Sequence, residues 1–69
     1  MKLKEIIDYV NKYQRITLAY KDDIYKRFDG LVGELYDDSL AHNELLNSEV
    51  VQIGVSLCNL YIELKKENQ

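Results

Sequence analysis

Apolar residues change their spacing near residue 14, from the period of a helix to the period of a strand. Four apolar residues of the first segment fall at i, i+3, i+4 and i+7: Leu3, Ile6, Ile7 and Val10. This spacing predicts an amphipathic helix over residues 2–13. Over residues 15–20 apolar and smaller side chains alternate instead, which predicts a strand. The chain must therefore pack a helix against a sheet.

The central part of the chain predicts a second strand and a short helix. Residues 21–23 have turn chemistry, and alternation resumes over 24–32, which completes a hairpin. Gly30 and Gly33 predict a bulge or bend, because glycine tolerates unusual backbone angles. The stretch 37–39 (Asp-Asp-Ser) is typical of a helix start, and the helix would end at residues 47–48.

The segment 49–66 fits two structures. As a helix, it has apolar residues at heptad spacing; as two strands, it alternates on both sides of a turn near residues 56–59. We favour strands, because β-branched residues are dense and Gly54 would weaken a helix by about 1 kcal/mol. The predicted fold class is α+β: an N-terminal amphipathic helix packed on an antiparallel sheet of two hairpins, with a short helix between them, in one domain spanning residues 1–69.

Small size limits the stability of this fold. A chain of 69 residues buries roughly 60 % of its surface, and its one cysteine, Cys58, excludes an internal disulfide. A homodimer that buries a sheet edge or an apolar strip is a reasonable expectation. We expect Cys58 to be a small buried apolar residue. The N-terminus lacks the apolar segment of a signal peptide, and no stretch suits a bilayer, so a cytoplasmic location and no membrane contact are predicted.

Charge is segregated along the chain. Residues 1–27 carry a balance of +3, residues 28–64 carry −7 without any lysine or arginine, and the rest carries +1. The middle segment either keeps the protein soluble or presents carboxylates to the basic groove of a nucleic-acid-binding partner. In the second case, one tyrosine would serve as an apolar anchor among six acids. The predicted partner-binding residues are Asp29, Glu34, Tyr36, Asp37, Asp38, Glu44 and Glu49.

No pattern in the sequence predicts catalysis. His42 is the single histidine, and no nucleophile motif accompanies it. The acids around Asp37 lack the spacing of a calcium loop, and no phosphate-binding loop is present. Basic residues of the first part are interleaved with acids, which argues against direct nucleic-acid binding. We therefore predict that the protein is not an enzyme and uses no cofactor or metal.

Four segments carry a resemblance to known proteins: 2–9 (KLKEIIDY), 28–32 (FDGLV), 45–53 (LLNSEVVQI) and 60–64 (LYIEL). Together with the segment Ile-Thr-Leu at residues 16–18, they resemble small accessory proteins of phages and prophages of Gram-positive bacteria. The resemblance implies an α+β fold and carries over no functional residue. Some small acidic phage proteins block host defences, including CRISPR effectors, by occupying nucleic-acid sites.

The function predicted from these observations is a non-enzymatic, protein-binding accessory or inhibitor of the anti-defence (anti-CRISPR-like) kind. Its acidic surface would block a basic, nucleic-acid-binding host protein by steric and electrostatic means. The alternative is a structural or assembly module of a phage or prophage that self-associates through a sheet edge or helix.

Overall fold

A computed structural model describes residues 1–23, 25–38 and 40–66 of the chain. It has an α+β fold with short helices and one four-stranded sheet, as the coarse prediction states. The helices and strands, in chain order, are α1 (Leu3–Ile7), β1 (Arg15–Tyr20), β2 (Lys26–Leu31), α2 (Val32–Asp37), α3 (Asn43–Leu46), β3 (Glu49–Ser56) and β4 (Asn59–Lys65).

The sheet is mixed, with the strand order β2-β1-β4-β3. The two predicted hairpins are present, since β1 pairs with β2 and β3 pairs with β4, both antiparallel. The two hairpins join through β1 and β4, which run parallel and place Ile16 beside Leu60 and Leu18 beside Ile62. The prediction of a purely antiparallel sheet is therefore wrong at this junction. Alternation shows which face of a strand is buried, but it does not reveal which strand lies beside it.

One face of the sheet and three short helices enclose the core. The helices contribute two apolar side chains each, and the central strands supply most of the rest. The buried cluster contains Leu3, Ile7, Ile16, Leu18, Tyr20, Val32, Leu35, Leu45, Leu46, Ile62 and Leu64. Burial of these side chains removes apolar surface from water and is the main force that holds sheet and helices together.

The first helix is shorter than the predicted 2–13. It ends at Ile7, and tighter turns follow, in which the Tyr9 and Val10 N–H groups donate to carbonyls three residues earlier. Asn11 then accepts a hydrogen bond from the Tyr13 N–H through its side chain (2.8 Å). Such an asparagine offers the backbone an alternative to the helix, which explains why the helical period outlasts the helix.

Between the two hairpins lie two helices rather than one. The second strand ends at Leu31, and α2 begins at Val32, where the Glu34 carboxylate accepts a hydrogen bond from the Leu31 N–H (3.2 Å). This contact satisfies a backbone donor that the helix itself leaves free. Residues 37–39 were predicted to start a helix. Instead, Asp37 ends α2, and Ser39 lies outside the described residues.

The predicted bulge lies elsewhere. Gly30 sits within β2 opposite Ile16, and Gly33 belongs to α2, while the irregularity between the two strands falls at Leu18 and Ala19. The start of the predicted strand at residue 24 lies outside the described residues. Gly33 is close to the Lys12 carbonyl oxygen, which is 3.3 Å from the place a Cβ would take. A close approach of backbone, rather than a bend in the sheet, accounts for this glycine.

The C-terminal segment forms two strands, so the preference for strands over a helix is confirmed. Their turn falls at the predicted place, between Ser56 and Asn59. The turn exposes Cys58, so the expectation that this side chain is buried is wrong. Position in a tight turn, rather than apolar neighbours in sequence, decides its exposure. Among the described residues, no helix is long and apolar enough to cross a membrane.

Candidate functional site

The outer edge of β3 is the most unusual surface of the described molecule. β3 is one of the two outer strands of the sheet, and the stretch from Val50 to Ser56 carries no charged residue. Val55 is 75 % exposed and Ile53 is 46 % exposed. An outer strand presents unpaired backbone N–H and C=O groups, which can pair with another chain. A long edge of this kind can accept an added strand.

The N-terminal residues cover the beginning of this edge. The Val50 N–H donates to the Met1 carbonyl oxygen (2.8 Å), and the Leu3 N–H donates to the Ser48 carbonyl oxygen (3.0 Å). Lys2 forms an isolated antiparallel bridge with Glu49. Within the ranges that the structure describes, no further strand pairs with the outer side of β3. The edge is therefore open from Val51 to Ser56.

Ile53 and Val55 are exposed because the helices do not extend over this part of the sheet. Ile53 is paired with Ile62 and Val55 with Leu60, so these side chains project from the same face as the core. Ile62 is buried, whereas Leu60 is only partly buried. The helices thus cover the centre of the sheet and leave the far end of the β3–β4 hairpin exposed.

The turn of this hairpin continues the apolar surface and is strained. Leu57 and Cys58 have positive φ values of 46° and 67°, and Leu57 is 98 % exposed. Two-residue turns with both φ values positive favour Asn-Gly, because other side chains are strained there. The Gln14 side-chain amide donates to the Cys58 carbonyl oxygen (2.6 Å) and helps to hold the turn.

Two of the predicted partner-binding residues already have cationic neighbours. Asp29, on β2, lies 3.8 Å from a guanidinium nitrogen of Arg15 and 3.8 Å from the Lys26 ammonium. Glu49, on β3, lies 2.8 Å from the Met1 ammonium, and this hydrogen bond and charge lower the pKa of the Glu49 carboxyl. Since β2 and β3 are at opposite sides of the sheet, about 14 Å of strand spacing separates them.

The structure brings Glu34, Tyr36, Asp37 and Asp38 together on α2 and at its end. Part of this set has local partners: Glu34 accepts from the Leu31 N–H, and Asp38 accepts from the Ala41 N–H (3.3 Å). The seventh predicted residue, Glu44, lies in the first turn of α3. The seven residues therefore lie on four different elements and do not form one cluster.

Tyr36 is tied to the first helix region. Its hydroxyl donates to the Asp8 carboxylate at 2.6 Å. Partial burial, followed by the hydrogen bond and negative charge of Asp8, raises the pKa of Tyr36 to about 12. The ring stays partly exposed, so the residue joins α2 to the N-terminal segment and still presents one side to solvent.

The single histidine contacts two neighbouring residues. His42 lies with Nδ1 3.1 Å from the Leu35 carbonyl oxygen, and its ring meets the Phe28 ring edge-on at 5.2 Å. These contacts hold the imidazole as part of the packing. A search of the described residues finds no group of three histidine, cysteine or acidic side chains that could hold a metal ion.

Comparison with protein-family models, with curated proteins and with solved structures finds no match to this chain. The resemblance to small phage and prophage proteins therefore stays a prediction. The candidate site rests on the geometry of the sheet alone.

The sequence predicts the strand β3, but it does not predict that one edge of this strand is exposed at the outside of the sheet. The spacing of apolar residues in the uncharged run 50–62 fits a helix or two strands, and it does not show which strand lies at the outside of the sheet. Its density of β-branched residues without a lysine or proline is a signal of an unprotected strand. That signal becomes informative only when the strand order places β3 at the outside.

Proposed function

We propose that this protein is a non-enzymatic interaction module, which binds an extended protein segment along the open edge of β3. The single observation that carries the proposal is the outer position of an uncharged, apolar strand whose edge is open from Val51 to Ser56. In strand addition, backbone hydrogen bonds supply affinity, and alternate side chains supply specificity. Val51, Ile53 and Val55 are the side chains that would contact the added segment.

The other outer strand supports the choice of β3. Lys26, Arg27 and Asp29 are exposed on β2, and charged side chains on an edge oppose pairing with another strand. β3 has no such protection after Glu49. Strand addition is therefore directed to one side of the sheet.

A reducing compartment suits this proposal, and a cytoplasmic location is part of it. The exposed thiol of Cys58 belongs to the turn that follows β3. In an oxidising compartment such a thiol would form mixed disulfides beside the binding edge.

The test uses one substitution on the edge and one matched control. Val55→Lys adds a charge near the end of the open segment, at a side chain that is 75 % exposed, whereas Leu40→Lys adds the same charge at a side chain that is 92 % exposed between α2 and α3. Immobilised wild-type protein is incubated with lysate of the source cell and with a differently tagged copy of itself. We expect proteins captured by wild type and by Leu40→Lys to be lost with Val55→Lys. Capture that is identical for all three would overturn the proposal.

The acids at the end of α2 favour a second candidate function, the blockade of a basic partner. Among the described residues, no ion pair involves Glu34, Asp37, Asp38 or Glu44, in contrast to Asp29 and Glu49. Carboxylates without cationic neighbours project a negative potential that attracts basic surfaces. Such a protein would compete with nucleic acid, as an anti-defence inhibitor does.

Salt dependence distinguishes the two functions. Blockade predicts that binding weakens with added salt and in the Asp37→Asn, Asp38→Asn double variant, because both screen or remove the attraction. Strand addition at β3 predicts binding that is nearly insensitive to both changes. Binding that depends on Val55 and not on Asp37 and Asp38 would exclude blockade.

A further inference from the structure

We infer that the strand added to β3 is the β3 strand of a second copy of this chain, paired antiparallel about a two-fold axis at Gly54. This inference rests on the proposed strand addition and names its partner. It follows from the side-chain pattern of the open segment, from the position of Met1, and from the distribution of charge on the two outer strands.

The open segment is complementary to itself. With Gly54 opposite Gly54 of the second copy, Ile53 faces Val55, and Gln52 faces Ser56. Residues that face each other across an antiparallel pair lie on the same side of the sheet. Apolar side chains thus meet on the core side and polar side chains meet on the other side. No residue of the pair meets a side chain of the opposite character.

The N-terminal residues select this register over its neighbour. Met1 lies opposite Val50, where its carbonyl oxygen accepts from the Val50 N–H at 2.8 Å. If Ile53 faced Ile53, Ser56 of the second copy would lie opposite Val50, in the place that Met1 occupies. With Gly54 opposite Gly54, the strand of the second copy ends at Ser56 opposite Gln52. Its turn, and not its strand, then lies beside Val50 and Val51, where β3 is irregular against β4.

Charge favours a second copy over a charged strand. The chain has a net charge of −3, yet the five paired positions carry none. On β3 the nearest acid is Glu49, which lies outside the paired positions and has the Met1 ammonium at 2.8 Å. Glu63 of β4 lies opposite Gln52, one strand away from the second copy. Pairing of two copies therefore brings no unpaired like charges together. A charged partner strand would find no opposite charge on the open segment of β3 from Val51 to Ser56.

The same distribution limits the assembly to two copies. A two-fold pair uses the β3 edge of both molecules and joins two four-stranded sheets into one of eight strands. Both ends of that sheet are then β2 strands, which carry exposed Lys26, Arg27 and Asp29. Charged edges oppose further pairing, so the assembly closes as a dimer.

Cysteine cross-linking tests the register. Gly54→Cys is made in a Cys58→Ser background, since a Cβ at Gly54 would approach nothing closer than the Tyr61 carbonyl oxygen at 4.0 Å, and the φ of Gly54 is not positive. Facing Cα atoms in an antiparallel pair are about 4.5–5.5 Å apart, within the range of a disulfide. We expect mild oxidation to convert most of this variant into a covalent dimer.

Two controls in the same background decide the meaning of the cross-link. Ile53→Cys would cross-link preferentially in the rejected register, and Leu40→Cys reports random collisions of an exposed thiol. A Gly54→Cys yield no higher than that of Leu40→Cys would overturn the inference. A yield from Ile53→Cys well above that from Gly54→Cys would overturn the register.

Light scattering over a dilution series separates this inference from the proposed function. We expect wild type and Leu40→Lys to form a dimer that dissociates on dilution, and Val55→Lys to weaken the dimer at least about tenfold. A wild-type chain that stays monomeric while it captures another protein in a Val55-dependent manner overturns the second-copy inference alone. A monomer whose captured proteins are insensitive to Val55→Lys overturns both.

Discussion

The two outer strands of the sheet have opposite chemistry. β2 has six residues, three of them exposed and charged, whereas β3 has eight residues and no charge after Glu49. The charges of β2 are also organised, because Asp29 lies between Arg15 and Lys26, and Arg27 lies 2.6 Å from Asp23. The difference teaches that one side of this sheet resists pairing and that the other side is available for it.

The two strands also differ in how they contact the core. Each outer strand packs one partly buried apolar side chain against the buried cluster, Phe28 of β2 and Val50 of β3, and Phe28 also meets the edge of the His42 ring. Phe28 thus joins β2 to the residue before α3 as well as to the core. The β3 side contributes little to packing beyond Val50, which leaves its residues free for another role.

The largest effect on stability is expected from truncation of Phe28 on β2, in contrast to truncation of the exposed Val55 on β3. Phe28→Ala should lower the free energy of unfolding by about 2 kcal/mol, because a partly buried ring leaves a cavity. Val55→Ala should change it by less than about 0.5 kcal/mol in dilute, monomeric protein. Denaturant unfolding followed by circular dichroism measures both. Equal losses would contradict the division between a packed edge and an open edge.

The next effect concerns the hairpin turn at the end of β3. Replacing Leu57 by Asn and Cys58 by Gly should raise the free energy of unfolding by about 1–2 kcal/mol, since both positions have positive φ. Thermal unfolding of the double variant and of each single variant measures the gain. A matched change at an ordinary exposed position, Leu40→Asn, should give none. Loss of stability in the double variant would show that Leu57 is needed for packing.

Replacing two charged residues of β2 should have a smaller effect on stability. It should also change the assembly. Lys26→Thr with Asp29→Thr keeps the net charge and removes surface ion pairs worth less than about 1 kcal/mol. The open β2 edge should then allow species larger than a dimer in size-exclusion chromatography with light scattering. Lys4→Thr with Asp37→Thr, which changes the same charges away from the edges, should leave the assembly unchanged. Unaltered assembly in both would show that charge does not protect β2.

The smallest effect is a pH dependence on the α2 side of the molecule. Because the pKa of Tyr36 is raised from 10.0 to about 12, the folded state favours its neutral form. The resulting stabilisation is complete below pH 10 and is lost as the pH rises through about 12. Burial also raises the pKa of Tyr20, so ultraviolet titration should show late tyrosine ionisation, and Tyr36→Phe should remove the part of it that belongs to Tyr36. Asp8→Asn should move this transition towards lower pH.

Much of the fold could be predicted from the spacing of apolar residues. Alternation around Ile53 and Ile62 identified both C-terminal strands, and the turn between them was placed correctly. The helix ends were not predictable from spacing, because single contacts such as the Asn11 side chain with the Tyr13 N–H decide them. The parallel pairing of β1 with β4 was missed since it depends on residues far apart in sequence.

The candidate site was harder to predict for a related reason. Composition gives the number of carboxylates, but local geometry decides which of them have a hydrogen-bond or ion-pair partner. Glu34 binds a backbone N–H, and Asp29 lies between two cations. The open edge of β3 depends on strand order, which local patterns do not contain. Sequence therefore identified the four strands of this protein, but it missed α2 and the open edge of β3.

The parallel pairing of β1 with β4 at the centre of the sheet has a consequence for biosynthesis. Strand β1 leaves the ribosome before β4. Ile16 therefore cannot pair with Leu60, 44 positions later in the chain, until β4 has also been released. During translation the first hairpin therefore shows its apolar face to chaperones and proteases until the second hairpin arrives. Mutations that slow the second hairpin should lower cellular yield more than they lower the stability of the purified protein.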